Sequence, residues 1–137
     1  MMGTMTGEAG LRGADGIGFL PTTDLERARR FFGEALGLAV EEATPFACVV
    51  RAGATMLLVT KVEELRPQPF TVFGWAVGDI RAAIAALRSA GVEMLRYEGM
   101  PQDTDGVWTT PGGEEIAWFH DPDGNTLSLT RFTNPPT

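Results

Sequence analysis

Few groups in this chain can do chemistry. It holds one histidine, His120, and one cysteine, Cys48. A nucleophilic thiol needs a base within hydrogen-bond reach, and His120 is the sole imidazole. Cys48 reads as a buried structural thiol. His120 adjoins the turn signal Asp121–Pro122–Asp123–Gly124 and reads as a surface residue. Glu114 and Glu115 are consecutive, so on a strand they point to opposite faces and make a poor acid–base pair. No Ser–His–Asp pattern, Gly-rich phosphate loop or Cys–His arrangement is present. No catalytic residue is assigned. What remains is aromatic. Trp108 and Trp118 each offer a flat apolar ring with one N–H donor. Tyr97, Gln102 and Asp105 could add polar contacts at a rim. Apolar walls with a few placed polar groups are typical of a small-molecule pocket. The alternative is that Trp118 is core and Trp108 pins a loop.

The elements that must position these groups follow from periodicity. Residues 15–21 form a short strand ending at Pro21. Asp24 stands where a helix N-cap belongs, and Leu25, Ala28, Phe31, Phe32, Ala35 and Leu36 recur at helical spacing. Gly37 fits the helix stop. Strands are expected at about 38–43, 46–52 and 55–61. Residues 62–69, with Pro67 and Pro69, form a linker. A strand over 70–77 restarts the cycle. Asp79 caps a second helix with Ile80, Ala83, Ile84 and Leu87 inward, ended by Gly91. Strands at about 92–97, 114–119 and 125–132 complete it, around a long loop at roughly 99–113. Asp24 and Asp79 occupy matching places fifty-five residues apart. The pattern is βαβββ twice, an α+β fold.

A chain of 137 residues fits one domain, and its halves must share a core to be stable. The expected organisation is a leader over 1–13, one domain over 14–132 and a tail over 133–137. Within the domain lie module 1 (about 15–61), linker 62–69 and module 2 (about 70–132). The net charge of −7 argues against a nucleic-acid surface. Arg27, Arg29 and Arg30 read as a solvated helix face. No long apolar run indicates a membrane span, and the start lacks signal-peptide character. The lone cysteine is compatible with a reducing cytoplasm.

Two segments carry a resemblance. Asp24–Leu25–Glu26–Arg27–Ala28 with Phe31–Phe32 and Leu36–Gly37–Leu38 resembles the first-module signature of the vicinal oxygen chelate superfamily. That group holds glyoxalase I, bleomycin resistance proteins and extradiol dioxygenases. Phe119–His120–Asp121–Pro122–Asp123–Gly124–Asn125 resembles its second-module signature. The resemblance spans about residues 15–132. It implies tandem modules whose curved mixed sheet forms a cup around a small-molecule site, with helices on the outer face. It also implies a homodimer in many members and, in the metal-dependent ones, a divalent cation held by His, Glu or Gln.

The resemblance places the metal-ligand positions at Ile17, Leu57, Val72 and Ser128. Three aliphatics and a hydroxyl do not make a transition-metal site, so no metal or other cofactor is expected. If these positions face the cup, alternation adds Phe19, Gly74, Ala76, Thr126 and Thr130. It turns Phe73, Trp75 and Val77 toward the helices. Gly74 and Ala76 leave space for a cavity, or for close packing. The candidate ligand-binding residues are Phe19, Leu57, Val72, Gly74, Tyr97, Gln102, Trp108, Trp118 and Ser128. The expected function is metal-independent binding or sequestration of an apolar or aromatic small molecule by a cytoplasmic homodimer. The alternative is a superfamily enzyme: lactoylglutathione-lyase-like, an isomerase or a dioxygenase, metal-free or with a relocated metal.

Overall fold

A computed structural model describes residues 10–134; the leader and the end of the tail lie largely outside them. Module 1 runs β1 (Ile17–Thr22), α1 (Leu25–Arg30), β2 (Val40–Thr44), β3 (Ala47–Ala52) and β4 (Thr55–Lys61). Module 2 runs β5 (Thr71–Ala76), α2 (Ile80–Ser89), β6 (Trp108–Thr109), β7 (Glu115–His120) and β8 (Thr126–Arg131). Each module makes a four-stranded sheet, in the orders β1-β4-β3-β2 and β5-β8-β7-β6. In both, the first strand is parallel to the last and the other pairs are antiparallel. This is the expected α+β architecture of tandem βαβββ modules.

Both helices start as their sequences dictate. Asp24 accepts the Arg27 backbone N–H and Asp79 accepts that of Ala82, each at 3.0 Å. Such caps contribute about 1 kcal/mol apiece. The first helix is not α-helical throughout. After Arg30 it widens into a π-helical turn, Phe31–Ala35, in which the Leu36 N–H reaches the Phe31 carbonyl. Gly37 then takes φ +69°, a left-handed stop suited to glycine.

The helices cover one face of the sheets and close a single core fed by both modules. Leu20, Phe32 and Leu57 come from the first, Ile80, Ile84 and Phe119 from the second. The modules meet where β1 lies beside β5. Gly18 makes that approach possible, since a Cβ there would sit 3.1 Å from the Phe73 ring.

A polar clasp ties the modules together at the β7–β8 turn. Asp123 accepts the Thr22 hydroxyl at 2.5 Å, the Thr23 hydroxyl at 2.9 Å and the Thr23 backbone N–H at 3.0 Å. Arg27 pairs with the same carboxylate at 2.7 Å. The Asn125 amide donates to the Pro21 carbonyl at 2.9 Å. Arg27 therefore departs from the solvated-face reading. Burial works against the Asp123 charge, but the hydroxyl and N–H donors and Arg27 outweigh it and hold the carboxyl below its usual range. Asp121 is pushed the other way, chiefly by burial.

One expected strand does not form. Segment 92–97 makes a single sheet-like bond, from the Leu95 N–H to the Trp118 carbonyl. The reason is Gln102. Its amide accepts the Tyr97 N–H and donates to the Leu95 and Gly106 carbonyls, taking groups that a strand neighbour would have used. The edge beside β7 passes to β6 instead.

Candidate functional site

The sheet faces away from the helices carry the candidate site. On module 2, Gly74 of β5, Ser128 of β8 and Trp118 of β7 stand in register across three strands. They therefore share the face opposite Ala117, Phe119 and Leu127, which are buried in the core. Gly74 does not leave a void. A Cβ there would meet the Ser128 hydroxyl at 2.4 Å, so Ser128 already occupies the space and is itself 8% exposed.

Trp118 is the centre of an aromatic group. Tyr97 meets it edge-on at 5.4 Å, and Trp108 lies nearly parallel to it, with centroids 6.4 Å apart. The Trp118 indole N–H donates to the Thr71 hydroxyl at 3.1 Å. Burial raises the Tyr97 pKa, so the phenol stays neutral at physiological pH. Beside this group a cavity of about 520 Å³ is walled by Pro67, Pro69, Leu95 and Tyr97, with Gln68, Arg96, His120 and Thr126 as its polar members. His120, Trp118 and Ile116 alternate onto one face of β7; the imidazole is exposed, as expected of a surface residue, and stands at the cavity.

The loop bearing Trp108 is anchored. Val107 is buried in the core, and the Asp103 carboxylate accepts the N–H groups of Asp105 and Val107. Arg81 of α2 reaches Asp103 at 2.8 Å and Asp105 at 2.9 Å, and Arg88 reaches Asp105 at 3.0 Å. Asp105 is held below its usual pKa by Arg88 and then Arg81. It belongs to this clamp rather than to a ligand rim. Gln102 is likewise spent on backbone groups and is a positioning residue, not a free contact.

On module 1 the corresponding face is open and apolar along β1, and the exposed Arg51–Glu41 ion pair stands on it toward β2. Ile17 is 50% exposed and Phe19 62%, with Val72 at 38% where β5 bulges nearby. Leu57 does not belong to this face. It pairs with Gly18, whereas Leu58 pairs with Phe19, and it is fully buried beneath the helices. Because faces alternate, the residue sharing the cup with Phe19 is Leu58. The internal match of Leu57 to Ser128 is one residue out of step.

The donors at the cup do not fit a divalent metal. The positions that the resemblance assigns to metal ligands carry Ile17, Val72 and Ser128, with Leu58 in place of Leu57 by register. Among the described residues no three His, Cys, Asp or Glu side chains group closely enough to hold an ion. Trp75 faces the helices, against Phe73 and Phe119, as alternation predicts.

Residues 15–129 match the profile of the Glyoxalase/Bleomycin resistance protein/Dioxygenase superfamily. The chain belongs to that superfamily. Solved structures share its fold at low identity. One is a glyoxalase/bleomycin resistance protein/dioxygenase from Alicyclobacillus acidocaldarius, 17% identical, TM-score 0.65, covering 88% of this chain and 92% of that one. TioX from Micromonospora sp. ML1 is 16% identical with TM-score 0.67, over 86% and 98% of the two chains. A lactoylglutathione lyase from Agrobacterium tumefaciens is 18% identical with TM-score 0.65, over 84% and 90%. No curated protein matches the chain. At these identities the likeness establishes the fold alone. No described helix of this superfamily member is long and apolar enough to cross a membrane.

Proposed function

We propose that this superfamily member binds an apolar or aromatic small molecule on the cupped face, without a metal. The observation that carries the reading is the ring group around Trp118, with its N–H fixed by Thr71 and a cavity alongside. Flat rings with few polar groups favour a ligand recognised by shape and stacking. Trp108, Trp118 and Tyr97 would supply the stacking surface, and Thr71, Thr126 and His120 the polar edge. Phe19 and Val72 would extend the apolar wall. Gly74 and Ser128 form its floor. The open apolar face of β1 is also in keeping with a homodimer, and the lone cysteine with a reducing cytoplasm.

The test is a thermal-shift screen of aromatic compounds on chelator-treated protein. A ligand at a hundred times its Kd stabilises the folded state by about 2.7 kcal/mol, so a binder is readily seen. Trp118→Phe, which keeps a ring but removes the donor, is expected to weaken the shift. Light scattering reports the dimer. Stoichiometric Ni²⁺ or Zn²⁺ that restored glyoxalase or dioxygenase turnover would overturn the metal-free reading.

A further inference from the structure

An indole nitrogen donates and cannot accept, so the bond between Trp118 and Thr71 has one direction, from the indole N–H to the hydroxyl oxygen. The Thr71 proton is left unspent. Thr71 makes no other side-chain hydrogen bond among the described residues, and it is exposed.

A β-bulge puts this hydroxyl on the cup. Thr71 pairs with Thr126 and Phe73 with Leu127, so Val72 is the extra residue of β5. In a regular strand Thr71 would share the helix-side face of Phe73 across β5 and β8. The bulge re-aims it to the face of Thr126 and Trp118. Ser128 adds a second hydroxyl. It pairs with Trp118 across β7 and β8, is 8% exposed, and has no side-chain hydrogen bond among the described residues. Its oxygen is not sealed, in contrast to Trp75 Nε1 in the core. Among the described residues of β7 and β8 no carboxylate shares this face, because Glu115 turns to Arg81 of α2. An oxygen that already accepts from an indole is a stronger donor and a poorer second acceptor. The polar floor beside Trp118 therefore offers protons.

We infer that the cup selects an aromatic ligand bearing a carbonyl oxygen at its edge. The ring packs against the Trp118 group, and the oxygen takes the Thr71 proton, extending the chain that starts at the indole N–H. The inference rests on the cup being the binding face. A ring without an acceptor would cover Thr71 and strand its proton away from water, and that loss sets the preference. Thr71 is the specificity-determining residue.

The probes are 2-acetylnaphthalene and 2-ethylnaphthalene, alike in body but differing in the oxygen. Binding is followed by nuclear magnetic resonance at the Trp118 indole N–H, one of three such groups in the chain. The ketone is expected to bind about tenfold more tightly than the hydrocarbon, the size of one net hydrogen bond. It should also move the Trp118 N–H downfield as the bond to Thr71 tightens. Thr71→Val keeps the shape, removes the hydroxyl and should erase the preference. Thr71→Ser should keep it. Equal affinity of the unaltered protein for both probes would overturn the inference while leaving the cup as the binding face. So would a preference that survives Thr71→Val. If neither compound moves the Trp118 signal, the reading of the cup falls and the inference with it.

Discussion

At Gly74 the difference of one methyl group sets the floor of the cup. The Cβ of an alanine would stand 2.4 Å from the Ser128 hydroxyl and 3.0 Å from its carbonyl oxygen, which belongs to the backbone and cannot step aside. Gly74→Ala should therefore destabilise by about 1–3 kcal/mol, read from urea unfolding. Adding Ser128→Ala should recover only part of the loss. Asp123 yields a pH prediction. Its folded pKa is depressed, so its stabilisation is fully present above the ordinary carboxylate value and fades as pH falls through the lower folded value. Asp123→Asn should cost about 2 kcal/mol at neutral pH, mostly through the threonine donors because Arg27 reaches solvent. The gap to the unaltered protein should narrow below about pH 4. Asp121, with its raised pKa, works in the opposite sense: ionising it costs stability above its folded pKa. The sequence does show which residue types stand at the cup, because alternation fixes faces. It does not show that Leu58 rather than Leu57 pairs with Phe19, because a one-residue slip in register leaves the composition of the strand unchanged.

Among the elements, the anchored loop over 99–113 is the most informative. Arg81 and Arg88 hold it to α2 through exposed ion pairs, which add little global stability. Arg81→Ala should lower unfolding free energy by less than about 1 kcal/mol. It should nevertheless speed hydrogen exchange at the Asp105 and Val107 amides and loosen Trp108, measured by exchange and fluorescence anisotropy. Unchanged exchange would mean that Val107 in the core suffices as the anchor. The helices and most strands are legible from caps and periodicity, as Asp24 and Asp79 show. Two features are not. The π-helical turn at Phe31–Ala35 keeps the apolar spacing of an α-helix, so no pattern betrays it. Segment 92–97 has a strand-like composition, but a side chain seven residues from Leu95 takes its backbone partner. Local patterns do not report such a competitor.

For the whole molecule, the superfamily fold is kept while the side chains at its metal positions are aliphatic or hydroxyl. Architecture here rests on caps, turns and a shared core, and none of these needs the ion. The clasp carries a consequence in time. The Thr22 and Asp123 side chains are separated by 101 residues of chain. As the polypeptide leaves the ribosome, Thr22 and Thr23 emerge long before the carboxylate that fixes them. Contacts of such separation are costly to close early. The clasp should therefore form after the transition state for folding. Asp123→Asn should then quicken unfolding while leaving the refolding rate nearly unchanged in stopped-flow measurements. Refolding slowed in proportion to the lost stability would show instead that the two halves meet at the start.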